Sequence, residues 1–236
     1  MKRTPTEEEA MTATQTDLTR RKLTTPRAAA IAGILFALLY GTSLVLIRSS
    51  IPADRVADAS WLETNSRTVS LALNLVPYAG IAFLWFIGVI RDRMGELEDR
   101  LFATVFLGSG LLFLAMTFVG VALAGGLLAS YAIEKSTLLG SGVYTYSRAV
   151  VYNLISIYAI RMAGVFMISL GTIWLRTGLM HRGWAFLTYA LALVLLLSVS
   201  FSSWVPLLFP GWVLAVSIYI LILNLSGQRQ DAMNKI

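Results

Sequence analysis

The sequence predicts an all-α polytopic integral membrane protein, a bundle of six transmembrane helices, on three observations. Of 236 residues, 57% are hydrophobic and only 14% are charged, where a soluble domain carries about a quarter charged. Mean hydropathy is correspondingly high, +0.72. Six segments hold roughly the 20 apolar residues that a bilayer core requires. The basic residues flank these segments instead of forming one stripe. That fits the positive-inside pattern and argues against nucleic acid as the partner of a chain with net charge +6.

The first segment is Pro26–Ile47. Thr25 followed by Pro26 gives a start signal, with threonine as N-cap and proline at the first helical position. The second is Val69–Ile90 and the third Leu101–Tyr131. The third is long for one span, at about 45 Å, but no polar turn divides it. It either tilts or breaks at Gly125-Gly126. The fourth is Ala149–Leu175, the fifth Trp184–Ser203 and the sixth Pro206–Leu225. Between the first two spans, residues 48–68 form the largest connecting piece, and a short surface helix is expected there.

Residues 1–25 read as a disordered cytoplasmic tail, 26–226 as the six-helix domain and 227–236 as a cytoplasmic tail. The first 27 residues hold eight threonines, the run Glu7-Glu8-Glu9 and then Arg20-Arg21-Lys22. That composition has no core to form and does not suit a cleaved signal, so the first span is expected to be retained. With the N-terminus inside, thirteen Lys and Arg fall on the cytoplasmic side. Five fall outside: Arg48, Arg55, Arg67, Lys135 and Arg148. Both termini are therefore expected in the cytoplasm. Trp61, Trp184, Trp204 and Trp212 are expected near membrane interfaces.

Arg161 is the one charge in the stretch from Ala149 to Leu175. On insertion scales an arginine at the helix centre costs about 2.5–3.5 kcal/mol. All thirteen acids lie in tails or loops, so no carboxylate meets Arg161 at its own depth. Neutral protein groups, water, Glu134 from above or a bound anion remain as compensation. Tyr158, three residues earlier, shares its face. Asn153 lies eight residues back, about 12 Å along the helix. In the second span Pro77 withholds an amide from the Leu73 carbonyl, with Asn74 and Tyr78 beside it. Arg161, Tyr158, Asn153 and Asn74 are thus the candidate ligand-binding residues. Gly164, Gly171 and Gly178 recur every seven residues and predict close helix packing. Arg161 shares a face with Gly164 and is expected to point into protein.

Other chemistry is narrowed by composition. The chain has no cysteine and one histidine, His181, which excludes thiolate catalysis and metal centres built on several histidines or cysteines. Gly108-Ser109-Gly110 invites comparison with rhomboid proteases, yet no histidine lies in a span to activate Ser109, nor Ser141. Phosphate-loop, zinc-protease and dinucleotide fingerprints are absent from the sequence. No catalytic residue, metal site or cofactor is expected. The segment Arg91–Arg100 mixes three arginines with four acids and reads as a solvated turn, with Glu96 and Arg100 at helical pairing distance.

The entry Pro26–Tyr40, the span carrying Leu75-Val76-Pro77-Tyr78-Ala79-Gly80, and the Arg91–Arg100 turn running into Phe102–Leu107 together resemble uncharacterised six-span bacterial membrane proteins, a domain of unknown function. The likeness is architectural and covers roughly the first half of the chain. It implies a bacterial cytoplasmic (inner) membrane and carries no functional residues over.

The leading expectation is a non-enzymatic membrane protein that binds or moves a small or lipidic anionic ligand through a polar cavity around Arg161. The alternative is a structural or accessory subunit in which Arg161 is a buried packing residue. A third reading is a lipid transferase using cytoplasmic acids such as Asp92 and Glu96. Membrane lipid or an anionic small molecule is the expected partner, with a homo-oligomer or a second membrane protein left open.

Overall fold

The structure, a computed structural model, describes residues 7–51, 59–94, 100–178, 180–197 and 204–233, with side chains in 28–51, 59–91, 101–178, 180–197 and 204–223. Every element among them is helical: α1 (Glu7–Ser50), α2 (Trp61–Thr64), α3 (Ser66–Met94), α4 (Arg100–Ile133), α5 (Lys135–Gly140) and α6 (Val143–Tyr152) come first. A π-helical turn, Asn153–Ala159, joins α6 to α7 (Ile160–Thr177). Then follow α8 (Arg182–Leu197), a 3-10 turn (Val205–Leu207) and α9 (Leu208–Met233). Five stretches are long and apolar enough to cross a bilayer: Ala28–Ser50, Ser66–Arg91, Leu101–Ile133, Val143–Thr177 and Val205–Leu223. α8 is a shorter apolar helix of 16 residues, about 24 Å long. The fold is an all-α, multi-pass membrane bundle.

Several elements differ from the sequence reading. α1 begins at Glu7 instead of near Pro26. Pro77 lies inside α3 without ending it. α4 runs through Gly125-Gly126 unbroken. Its excess length is used by packing, because Leu127 and Tyr131 belong to a second apolar cluster beyond the main core. The expected fifth segment extends past α8, and residues 198–203 lie outside the described ones, as does most of the Arg91–Arg100 turn. Trp61 and Trp212 are buried in protein. Each indole N–H has a protein acceptor, Tyr144 Oη at 2.9 Å and Thr188 Oγ1 at 2.9 Å, which removes the need for an interfacial position.

α1 packs against α3 and α9, and α7 against α4 and α8; α3 meets α4 to close one side. Ser43 Oγ donates to the Ala72 carbonyl at 2.8 Å across α1 and α3. The two layers meet in an aromatic core of Phe36, Phe83, Phe106, Phe113, Phe166 and Phe209, all fully buried. Ring centroids of Phe36 and Phe83 lie 4.6 Å apart, and those of Phe113 and Phe209 4.8 Å apart. The predicted glycine stripe works within the monomer. A Cβ on Gly164 would meet Leu196 Cγ at 3.0 Å and the Ala192 carbonyl at 3.2 Å, and one on Gly171 would meet Thr188 Cγ2 at 3.4 Å. Gly178, at φ 65°, ends α7 in the left-handed region that glycine adopts at little cost.

Candidate functional site

The end of the bundle where α1 finishes and α3 begins is closed by a cap. The Ser50 carbonyl, at the orphaned end of α1, accepts from Asn65 Nδ2 at 2.8 Å. α2 is anchored through Trp61, whose acceptor Tyr144 Oη also takes Arg148 Nη1 at 3.2 Å. Lys135 pairs with Glu63, and Tyr131 Oη donates to the same carboxylate at 3.2 Å. The hydrogen bond from Lys135 first, and that from Tyr131 second, hold Glu63 below its ordinary pKa of 4.5. The same bond to Glu63 raises Lys135.

Inside this cap lies an open cleft of about 380 Å³, lined by Arg48, Ser49, Ser50, Ile51, Ser60, Trp61, Thr64 and Asn65. Arg48 stands in the last turn of α1, where the negative end of the helix favours a cation. Its side chain is half-buried. Nη2 reaches Ser156 Oγ at 3.5 Å, the long limit of a hydrogen bond. Among the described residues no carboxylate pairs with Arg48.

Ser156 sits in the π turn. That turn is wider than an α-turn, and such turns recur at functional sites. It fits against α4 because Gly120 has no side chain; a Cβ there would meet Ile155 Cγ1 at 2.6 Å. Arg161 follows in the first turn of α7, half-buried. One turn further on, Gly164 packs on Ala192 and Leu196, so Arg161 lies level with the last described turn of α8. Among the described residues Arg161 forms no hydrogen bond or salt bridge. Tyr158 is 55% exposed and Asn153 is exposed. Asn74 is on a different helix, on the outward face of α3. None of these four lines the cleft. Glu134 is exposed and accepts from Thr137 Oγ1 at 2.6 Å.

No family model matches this chain. No curated protein and no solved structure matches it either.

The arrangement suits an anion. A guanidinium offers forked donors to phosphate or carboxylate oxygens, and the serines, Thr64 and Asn65 add neutral ones. Sequence reasoning passed over Arg48 as one of the flanking charges. Its only signal was position, inside the last turn of an apolar span and followed by Ser49-Ser50. Among the described residues no three acidic or histidine side chains converge on a metal position. The side chains of Asp92 and Glu96 lie outside the described ones. Ser109 spends its hydroxyl within its own helix, on the Val105 carbonyl at 2.6 Å.

Proposed function

We propose that this protein binds an anionic ligand, a lipid headgroup phosphate or a small organic anion, at the capped end of the bundle. Arg48 is the primary contact, with the hydroxyl and amide groups of the cleft around it. Arg161, with Tyr158 one turn away, supplies a second cation deeper in the same half; Asn153 is more peripheral, and Asn74, on the outward face of α3, has no part in the site. The observation that carries this reading is the half-buried Arg48 lining a polar cleft with no carboxylate partner among the described residues. Binding is favoured over passage, because close-packed aromatic rings fill the centre of the bundle and no charged side chain is buried there among the described residues. The flanking Lys and Arg support termini in the cytoplasm, and the architectural resemblance supports a bacterial inner membrane. The cleft then opens outward.

A structural or accessory role for Arg161 is the second reading, favoured by the close contact of Gly164 with α8. Thermal unfolding of detergent-purified wild type, Arg48→Leu and Arg161→Leu separates the two. Each is melted alone, with phosphatidylglycerol, and with inorganic phosphate. Ligand at about 100 times its Kd stabilises by about 2.7 kcal/mol, a rise of several degrees in a protein of this size. The expected result is a rise in wild type that Arg48→Leu loses. A rise with phosphate alone identifies a free anion as ligand; a rise only with the lipid identifies a headgroup. Equal rises in wild type and Arg48→Leu would sink the proposal. An unchanged response in Arg161→Leu, with a lowered melting point, assigns that residue to packing.

A further inference from the structure

The outward face of α3 carries two hydrogen-bonding side chains at membrane depth. Asn74 and Tyr78 stand one turn apart and both are exposed, Tyr78 by 64%. Among the described residues neither forms a hydrogen bond. Asn74 lies seven residues from Arg67, about 10 Å along the helix, and Tyr78 is near the middle of the span Ser66–Arg91. A carboxamide is too short to reach water from there. Between them Pro77 leaves the Leu73 carbonyl without its helical donor. Hydrocarbon pairs neither side chain, and unpaired polar groups in lipid are costly. The exposed Ile31, Leu35 and Leu38 of α1 make the contrast, since lipid tails suit them.

We propose that this face of α3 is a homodimer interface, with a second copy of the chain as its occupant. Copies inserted in one membrane share one orientation. A two-fold axis along the membrane normal therefore sets each residue opposite its own equivalent at equal depth. A carboxamide is its own complement there, donating its N–H to the carbonyl of the partner subunit's Asn74 and accepting in return. The phenol of Tyr78 is likewise both donor and acceptor. Spacing agrees with a helix pair: Leu71, Tyr78 and Trp85 form one seven-residue row, and Asn74, Ile81 and Gly88 form the next, all six exposed. Seven-residue rows pack as left-handed pairs. A Cβ on Gly88 would meet nothing within 4 Å, so the backbones can approach at that end. Arg67 falls in line with Asn74 but lies at the aqueous edge, where salt screens it.

The chain has no cysteine, so a single introduced cysteine forms no bond within one chain, and a linked species of twice the monomer mass reports contact between copies. Full-length Ile81→Cys, Gly88→Cys and, as a control on another face, Leu35→Cys are oxidised in native membranes. The disulfide-linked dimer is then measured by mass. We expect dimer from Ile81→Cys or Gly88→Cys and little from Leu35→Cys. Adding Asn74→Leu is expected to cut the linked fraction about threefold, the scale of one interhelical bond in lipid, while the monomer's melting temperature stays put. Three results would overturn the proposal: equal linking at Leu35, linking indifferent to Asn74→Leu, or a linked species whose mass is not twice the monomer's.

Discussion

The centre of the bundle and its cap are held together by opposite means. At the centre, Phe36, Phe83, Phe113 and Phe209 interlock, and the Tyr40 ring stacks beside Phe36. Lipid tails are as apolar as these rings, so the gain is close packing and dispersion. In the cap, apolar contacts are fewer and directional bonds take over: Trp61 to Tyr144, Asn65 to Ser50, Glu63 to Lys135. The difference teaches where function can reside. A centre packed this way holds no charged group that could meet an ion among the described residues, while the cap already holds the polar groups that a ligand needs. Arg48 stands at the boundary between the two regimes.

The contrast can be broken from either side. The largest expected effect is at the centre. Phe113→Ala removes a fully buried ring and should cost about 3–5 kcal/mol, read as a large loss of melting temperature in detergent. A small loss would mean that the centre is looser than its ring distances imply. Next is the cap's main bond. Trp61→Phe keeps an aromatic ring but trims its bulk and leaves Tyr144 Oη without that donor, a cost of about 1 kcal/mol for the bond plus the packing lost with the smaller ring. Hydrogen exchange should show it in α2 and the start of α6, with the helix centres still protected. Exchange rising everywhere would mean that cap and bundle unfold as one unit. The smallest effect is acidic. Glu63 is held below its ordinary 4.5 when folded, so its contribution is complete above that value and is lost as pH falls through the folded pKa. The pair is exposed, so the change is slight: faster exchange in α2 below about pH 4.5, absent in Glu63→Gln. No difference between the two proteins would remove the Glu63–Lys135 pair from the account.

Much of the frame was readable beforehand because membrane physics writes it into composition. Runs of apolar residues fixed where helices cross, and the seven-residue glycine spacing foretold close helix packing, though not that α8 would be the partner of Gly164 and Gly171. The small helix in the first connection was also expected, and α2 is there. The site was less readable. Arg161 stands out because it is alone in its span, and it is half-buried as its shared face with Gly164 suggested. Asn74 was grouped with Arg161, but it faces outward on α3. Helical spacing relates residues on one helix only and says nothing of how one helix is rotated against another. Arg48 went unnoticed for a related reason: a charge near a span end looks solvated until a second helix is packed over it.

By itself the sequence determined that the chain crosses a membrane as helices, because lipid cannot satisfy exposed backbone groups and long apolar runs have no other stable form. Tertiary structure alone decided which polar groups meet. It brought Ser156 of the π turn to Arg48, tied Trp61 to Tyr144 across 83 residues of sequence, and turned Asn74 away from the bundle. Those choices depend on the rotation and register of whole helices, which are set by summed side-chain contacts that no local pattern records.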